Sequence, residues 1–130
     1  MTQTLIAIVE PLGSHRDARG SLFEPLDAQG LALQKNVHVV LTEPQGIRGN
    51  HFHRASTEMT VAVGPCLVRL KESSGIRDIS VPAGEAWRFT IPPGVVHAYQ
   101  NTGTSVFVLV SFSSALHDPA NPDTVREVIL

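Results

Sequence analysis

Apolar positions in this chain recur at every second residue, in short runs broken by glycine, proline and asparagine. That pattern predicts strands at Thr4–Val9, Ser21–Pro25, Gln34–Thr42, Arg48–Arg54, Glu58–Val63, Cys66–Lys71, Ile76–Val81, Ala86–Ile91, Val96–Gln100 and Ser105–Ser113. Turn chemistry separates them at Pro11–Gly20, Glu43–Gly46, Gly64-Pro65, Ser73–Gly75, Pro82–Gly84, Pro92–Gly94 and Asn101–Gly103. Within Gln34–Thr42, Val37, Val39 and Leu41 share one face, and His38 and Val40 share the other. No long window has helical periodicity; one short helical turn is expected at Pro122–Arg126, before an apolar, strand-like C-terminal run. Many short strands at even spacing predict an all-β sandwich or barrel. Among these, the jelly roll is the architecture whose interior carries metal sites.

Composition narrows the picture. At 130 residues and 42% apolar, the chain suits a single domain, residues 1–130, with one core. A formal net charge of −2 offers no basic footprint for nucleic acid or an anionic membrane surface. The single cysteine, Cys66, rules out an intrachain disulfide and fits a reducing compartment; it reads as a small buried apolar residue. No apolar stretch approaches the roughly 18 residues needed to cross a bilayer, and Met1–Gly13 lacks the pattern of a signal peptide. A cytoplasmic protein is expected.

The chemistry concentrates in Arg48–Glu58, RGNHFHRASTE. His51 and His53 are two apart on a predicted strand, so their side chains project to the same face. Glu58 follows five residues later, and His97 lies far along the chain in IPPGVVHAYQN. Three imidazoles and a carboxylate are a donor set that a barrel can gather around one divalent ion.

The spacing His51-x-His53-x4-Glu58 resembles the first cupin motif, and Pro92-x-Gly94-x2-His97-x3-Asn101 resembles the second. The resemblance implies a cupin-type double-stranded β-helix, a jelly-roll barrel, with His51, His53, Glu58 and His97 as metal ligands. Two turns depart from the pattern: Pro65 stands where a glycine is expected, with Gly64 one position early, and Gly84 lies two residues further from Pro92 than is common. Four segments, DARGSLFEPL, GIRGNHFHRASTE, IPPGVVHAYQNTG and DPANPDT, are similar to the C-terminal cupin domain of bifunctional capsular polysaccharide synthesis enzymes. In that family the domain binds zinc and epimerises a UDP-linked 4-keto-6-deoxy amino sugar, and a separate reductase domain uses NADPH. The DxRGxL and RGxHxH segments also resemble dTDP-4-keto-6-deoxyglucose 3,5-epimerases and dTDP-sugar 3,4-ketoisomerases. The ketoisomerases use the paired histidines as acid and base without a metal.

The resemblance thus implies a metal-assisted epimerase or isomerase of a nucleotide-linked 4-keto-6-deoxy sugar, in surface polysaccharide biosynthesis. Zinc is the implied metal, although the same donors suit iron, manganese or nickel. His51 and His53 are candidates for proton transfer as well as ligation, and Tyr99, on the His97 face, is a candidate acid or sugar contact. Arg48, Arg19 and Arg69 are candidates for the nucleotide diphosphate, for which a guanidinium's planar fork is suited. The plainer readings are a surface charge for Arg48, a solvated turn residue for Arg19, a barrel-mouth charge for Arg69 and a half-buried core residue for Tyr99. Trp87 and Phe89 read as core; His15, His38 and His117 read as ordinary surface histidines. A non-catalytic sugar-binding cupin, partnered by a separate reductase, and a metal-dependent cupin dioxygenase are the alternatives. A homodimer is expected from the apolar TLIAIV and VREVIL runs and from the similar families.

Overall fold

A computed structural model of the chain describes residues 5–130. In chain order the first elements are β1 (Ile8–Pro11), β2 (His15–Asp17), β3 (Gly20–Leu22), the helix α1 (Ala28–Ala32), β4 (Asn36–Thr42), β5 (Ile47–His53) and β6 (Glu58–Val63). They are followed by β7 (Cys66–Glu72), β8 (Gly75–Val81), β9 (Ala86–Ile91), β10 (Val96–Asn101), β11 (Phe107–Ser113) and β12 (Thr124–Arg126). Two five-stranded antiparallel sheets, ordered β1-β9-β6-β11-β4 and β12-β5-β10-β7-β8, form the cupin-type jelly roll that the motif resemblance implied. β2 and β3 make a separate two-stranded ribbon.

Period-two burial builds the interior. On β7, Cys66, Val68 and Leu70 point inward and are at most 2% exposed, while Leu67, Arg69 and Lys71 point away. Val68 and Leu70 meet Phe89, Ile91, Val95, Ala62 and Leu109 in one apolar cluster, against which Trp87 packs. Cys66 is in that cluster, and burial pushes its thiol up to about 12, so it is an inert small apolar residue. The inward rows on the other sheet change character along the strands. Val40, Leu109 and Ala62 form an apolar row on β4, β11 and β6. The next row is His38, Ser111 and Thr60, and the next is Asn36, Ser113 and Glu58. The barrel therefore holds an apolar packing region and, two residues along each strand, a polar lining.

Several elements differ from expectation. The predicted turn over Pro11–Gly20 contains β2 and the start of β3, because the ribbon is short and its residues are all exposed. α1 has only five residues, too few for a visible periodicity; Asp27 caps it by accepting from Gly30 N at 2.7 Å. The turn expected at Pro122–Arg126 is partly a strand, since Thr124–Arg126 pairs with His53–His51 on β5. Leu5–Ala7 lies outside β1, and Thr4, expected in the first strand, lies outside the described residues, as does part of the Met1–Gly13 segment. On β4 the apolar face is the outer one: Val37, Val39 and Leu41 are each more than half exposed, and His38 and Val40 face the interior. Among the described residues no helix is long and apolar enough to cross a membrane.

Candidate metal centre and its cavity

β5, β6 and β10 bring the four predicted ligands together. β10 pairs antiparallel with β5 so that His97 lies directly opposite His51. His53 follows on the same face, and Glu58 opens β6 from the other sheet. The ligand atoms of His51, His53, Glu58 and His97 all lie within 4.8 Å of one another. Ring centroids are 4.7 Å apart for His51–His97, 5.2 Å for His51–His53 and 5.4 Å for His53–His97.

Hydrogen bonds decide which nitrogens face inward. The Nδ1–H of His97 donates to Val95 O at 3.0 Å, which leaves Nε2 as the lone-pair nitrogen. That atom is buried with no hydrogen-bond partner among the described residues, and Glu58 Oε1 is 3.7 Å away. His53 Nε2 lies 2.7 Å from Glu58 Oε2. Glu58 Oε1 accepts from Thr60 Oγ1 at 2.7 Å, and Thr60 Oγ1 is 2.8 Å from Ser111 Oγ. On the outer side of His53, Asp123 Oδ2 is 3.9 Å from Nδ1, while the same carboxylate accepts from Ala55 N and Ser56 N.

These surroundings tune the groups in opposite directions. Burial, then the neighbouring His97, holds His51 down at about 4, so its ring is neutral at physiological pH. Burial likewise lowers His97. Burial also works against a charged His53, but the hydrogen bond and charge of Glu58 raise it overall. For Glu58, burial alone would favour the acid; the hydrogen bond from His53 and the surrounding histidines outweigh it and hold the carboxyl at about 2. The result is a carboxylate and at least two neutral imidazoles, the protonation states that ligate a cation.

The donor set fits a divalent ion. Around one tetrahedral zinc, donors at about 2.0–2.2 Å lie roughly 3.4 Å apart. The four ligand atoms, spread over as much as 4.8 Å, would draw together by side-chain rotation to reach that spacing. A buried lone-pair nitrogen without a partner is costly unless something takes that lone pair, and a metal ion would.

A local device in β5 gives the cavity its arginine. Strict alternation would put Arg48 on the opposite face from His51. Gly49 and Asn50 instead form a bulge with φ of +87° and +57°, and the register slips between His97 and Ala98. Arg48 then lies opposite Tyr99 and lines the same cavity as His51 and His53. Only glycine suits position 49, because a Cβ there would sit 2.6 Å from His97 O. Asn50 turns outward and its Oδ1 accepts from Ile129 N and Leu130 N, tying the C-terminal tail to the bulge.

The cavity is about 670 Å³ and is walled by β4, β5 and the 115–124 segment. Tyr99 lines it, fully buried beside His97; burial keeps its phenol protonated, so it can donate but not accept a proton at neutral pH. Arg19 and Arg69 are not brought to this cavity. Arg19 sits on the exposed β2–β3 ribbon, paired with Asp17, beside a separate 540 Å³ surface hollow. Arg69 faces outward from β7, bound by Asp78 and by Ile129 O. The residues that sequence reading missed are Asp123, Ser111, Thr60 and His38. A reversal of the two faces of β4 would have found His38.

Comparison with known proteins follows the same lines. A family model described as the polysaccharide biosynthesis C-terminal domain matches residues 15–125. The chain belongs to this family. Sequence comparison with curated proteins gives no match. Among solved structures, the capsular polysaccharide assembling protein CapF from Staphylococcus aureus is similar at 25% identity and a TM-score of 0.67, over 92% of this chain and 33% of that one. The chain thus spans about a third of CapF's length. QdtA, a sugar 3,4-ketoisomerase from Thermoanaerobacterium thermosaccharolyticum in complex with TDP, superposes with a TM-score of 0.69 at 19% identity, over 93% of this chain and 88% of that one. A 3,4-ketoisomerase from Helicobacter canadensis gives 0.73 at 17% identity, over 95% and 92%. The last two establish the shared fold.

Proposed function

We propose that this domain is a metal-assisted epimerase or isomerase of a nucleotide-linked 4-keto-6-deoxy sugar, with zinc held by His51, His53, Glu58 and His97. The observation that carries the reading is the convergence of three imidazoles and a buried carboxylate on one small-molecule-sized cavity that also contains a guanidinium. A hydrogen beside a ketone is weakly acidic because its removal leaves negative charge on the carbonyl oxygen. A bound divalent ion would supply Lewis-acid stabilisation of that charge, worth several kcal/mol. The chain's own groups do the rest. Arg48 at the cavity wall suits the diphosphate. The neutral Tyr99 phenol, beside His97, can donate a hydrogen bond to the sugar. Residues of the 115–124 segment line the cavity together with His51, His53 and Glu58. The family match and the CapF likeness support a place in polysaccharide biosynthesis. A reductase would then act on the product.

Solvent-deuterium incorporation tests the reading. Metal-loaded protein in D₂O with UDP- and dTDP-linked 4-keto-6-deoxy sugars is expected to place deuterium beside the ketone. Chelation and His97→Ala should both abolish it, and the labelled carbon separates epimerase from ketoisomerase. No exchange with either sugar, at full metal content, would leave a binding role for the cavity and end the enzymatic reading.

A further inference from the structure

If His51, His53 and His97 hold an ion through ring nitrogens, none of them keeps a lone pair for a substrate proton. The metal-assisted reading then requires another base. The remaining candidates in the cavity are few. The Asp123 carboxylate is taken up by Ala55 N, Ser56 N and the Ser56 hydroxyl. Asp118 accepts from Ala120 N within its own turn. Tyr99 is held protonated by burial. Arg48 donates only. Two histidines remain, His38 and His117.

Their settings differ. His117 lies on the irregular segment between β11 and β12. His38 is the third residue of the seven-residue β4, paired residue for residue with β11. It stands opposite Ser111, whose hydroxyl contacts Thr60 Oγ1 at 2.8 Å and Glu58 Oε1 at 3.4 Å. Paired strands lie about 4.8 Å apart, so this row of polar groups runs from His38 across β11 to the ligand carboxylate on β6. His38 and His51 line the same cavity. It is exposed at the mouth, where a ring nitrogen can exchange its proton with water.

We propose that His38 is the proton-transfer base of this site, taking the proton from the carbon beside the ketone of the bound sugar. In that step the carbon–hydrogen bond breaks, the proton passes to the free ring nitrogen of His38, and the electron pair forms the enolate. Return of a proton to carbon regenerates the ketone and neutral imidazole. The assignment rests on the proposed function and adds the group that the metal ligands cannot provide.

The experiment compares wild type, His38→Ala, His38→Gln and His117→Ala, each metal-loaded. Metal content, thermal midpoint and steady-state deuterium exchange into the UDP- and dTDP-linked 4-keto-6-deoxy sugars are measured. The expected result is a fall in kcat of about 10²–10⁴-fold in both His38 variants, the usual contribution of a positioned base. KM, metal content and thermal midpoint should hold, and added imidazole should restore part of the exchange in His38→Ala. In His117→Ala kcat should fall far less than in the His38 variants. Active wild type with unimpaired His38 variants would overturn the assignment while leaving the function intact. So would a change in KM alone, or loss of metal from the His38 variants. Wild type that exchanges neither sugar would remove the function itself, and the assignment with it.

Discussion

Two stretches of this chain carry glycine, arginine and histidine in similar density, and they end in opposite situations. Ile47–His53 lies second from the edge of one sheet, and its functional side chains meet groups from β6 and β10 inside the barrel. His15–Leu22 forms a ribbon whose strand residues are all exposed, and its arginine closes on an aspartate two positions away. The difference is one of sequence separation. The cluster is made by partners 5–7 and 44–46 residues from the paired histidines, fixed by strand register, whereas the Arg19–Asp17 pair needs only a turn. Long-range pairing fixes a side chain against many neighbours. A local exposed ion pair contributes little and fixes nothing beyond itself.

The bulge in β5 is the place where that contrast breaks most easily. Gly49→Ala would force a Cβ against His97 O and hold alanine at a positive φ. Backbone strain and displacement together should cost about 3 kcal/mol. Because the strained carbonyl belongs to His97, metal affinity should fall along with stability. Urea unfolding read together with metal content checks both. Loss of stability with unchanged metal binding would show that the bulge serves only the C-terminal tail held by Asn50.

Acid should expose the cluster in two steps in chelated protein. His51 is held at about 4 against a usual 6.5, so between those values the unfolded chain binds a proton that the folded one refuses. Stability therefore rises with pH across that window and is lost as pH falls through it. Lowered His97 acts in the same direction. His53 is raised and acts in the opposite one, its contribution complete below 6.5 and lost as pH climbs through its folded value. Glu58, held at about 2 against 4.5, adds stability above 4.5 that disappears toward 2. The groups facing His51 are His53, His97, Glu58 and His38. Urea midpoints from pH 7 to 3 should thus decline first from the histidines and then from the carboxylate. His51→Asn should flatten the upper window and leave the lower one. A variant in the β2–β3 ribbon should change neither.

Much of this site was legible because its signals are periodic or paired. The His51/His53 spacing encodes a shared strand face, and the two cupin motifs encode partners that the register then brings together. What the sequence concealed were events that alternation does not describe. A single inserted residue at Asn50 turned Arg48 from the outer face to the cavity. On β4 the hydrophobic rule inverted, since Val37, Val39 and Leu41 face out and the His38 row lines the interior. A valine–leucine stripe reads as core whenever its strand is taken in isolation. The Asp118–Thr124 segment was recognisable as a motif but not as a role; in the fold Asp123 secures the 55–56 backbone behind His53.

The smallest expected effect is at Arg19. Its side chain is 90% exposed and its one side-chain partner is Asp17, so Arg19→Ala should leave stability essentially unchanged. Metal content should be unchanged, because neither residue of the pair lines the cluster's cavity. Thermal melting and metal analysis of this variant alone are therefore expected to be silent. The informative reading is KM for the nucleotide sugar in the exchange assay. If KM is also unchanged, the sequence-based assignment of Arg19 to the diphosphate fails and Arg48 is left as the arginine that the cavity offers. If KM rises with kcat, stability and metal all held, the ribbon reaches the nucleotide in an assembly that a single barrel does not contain.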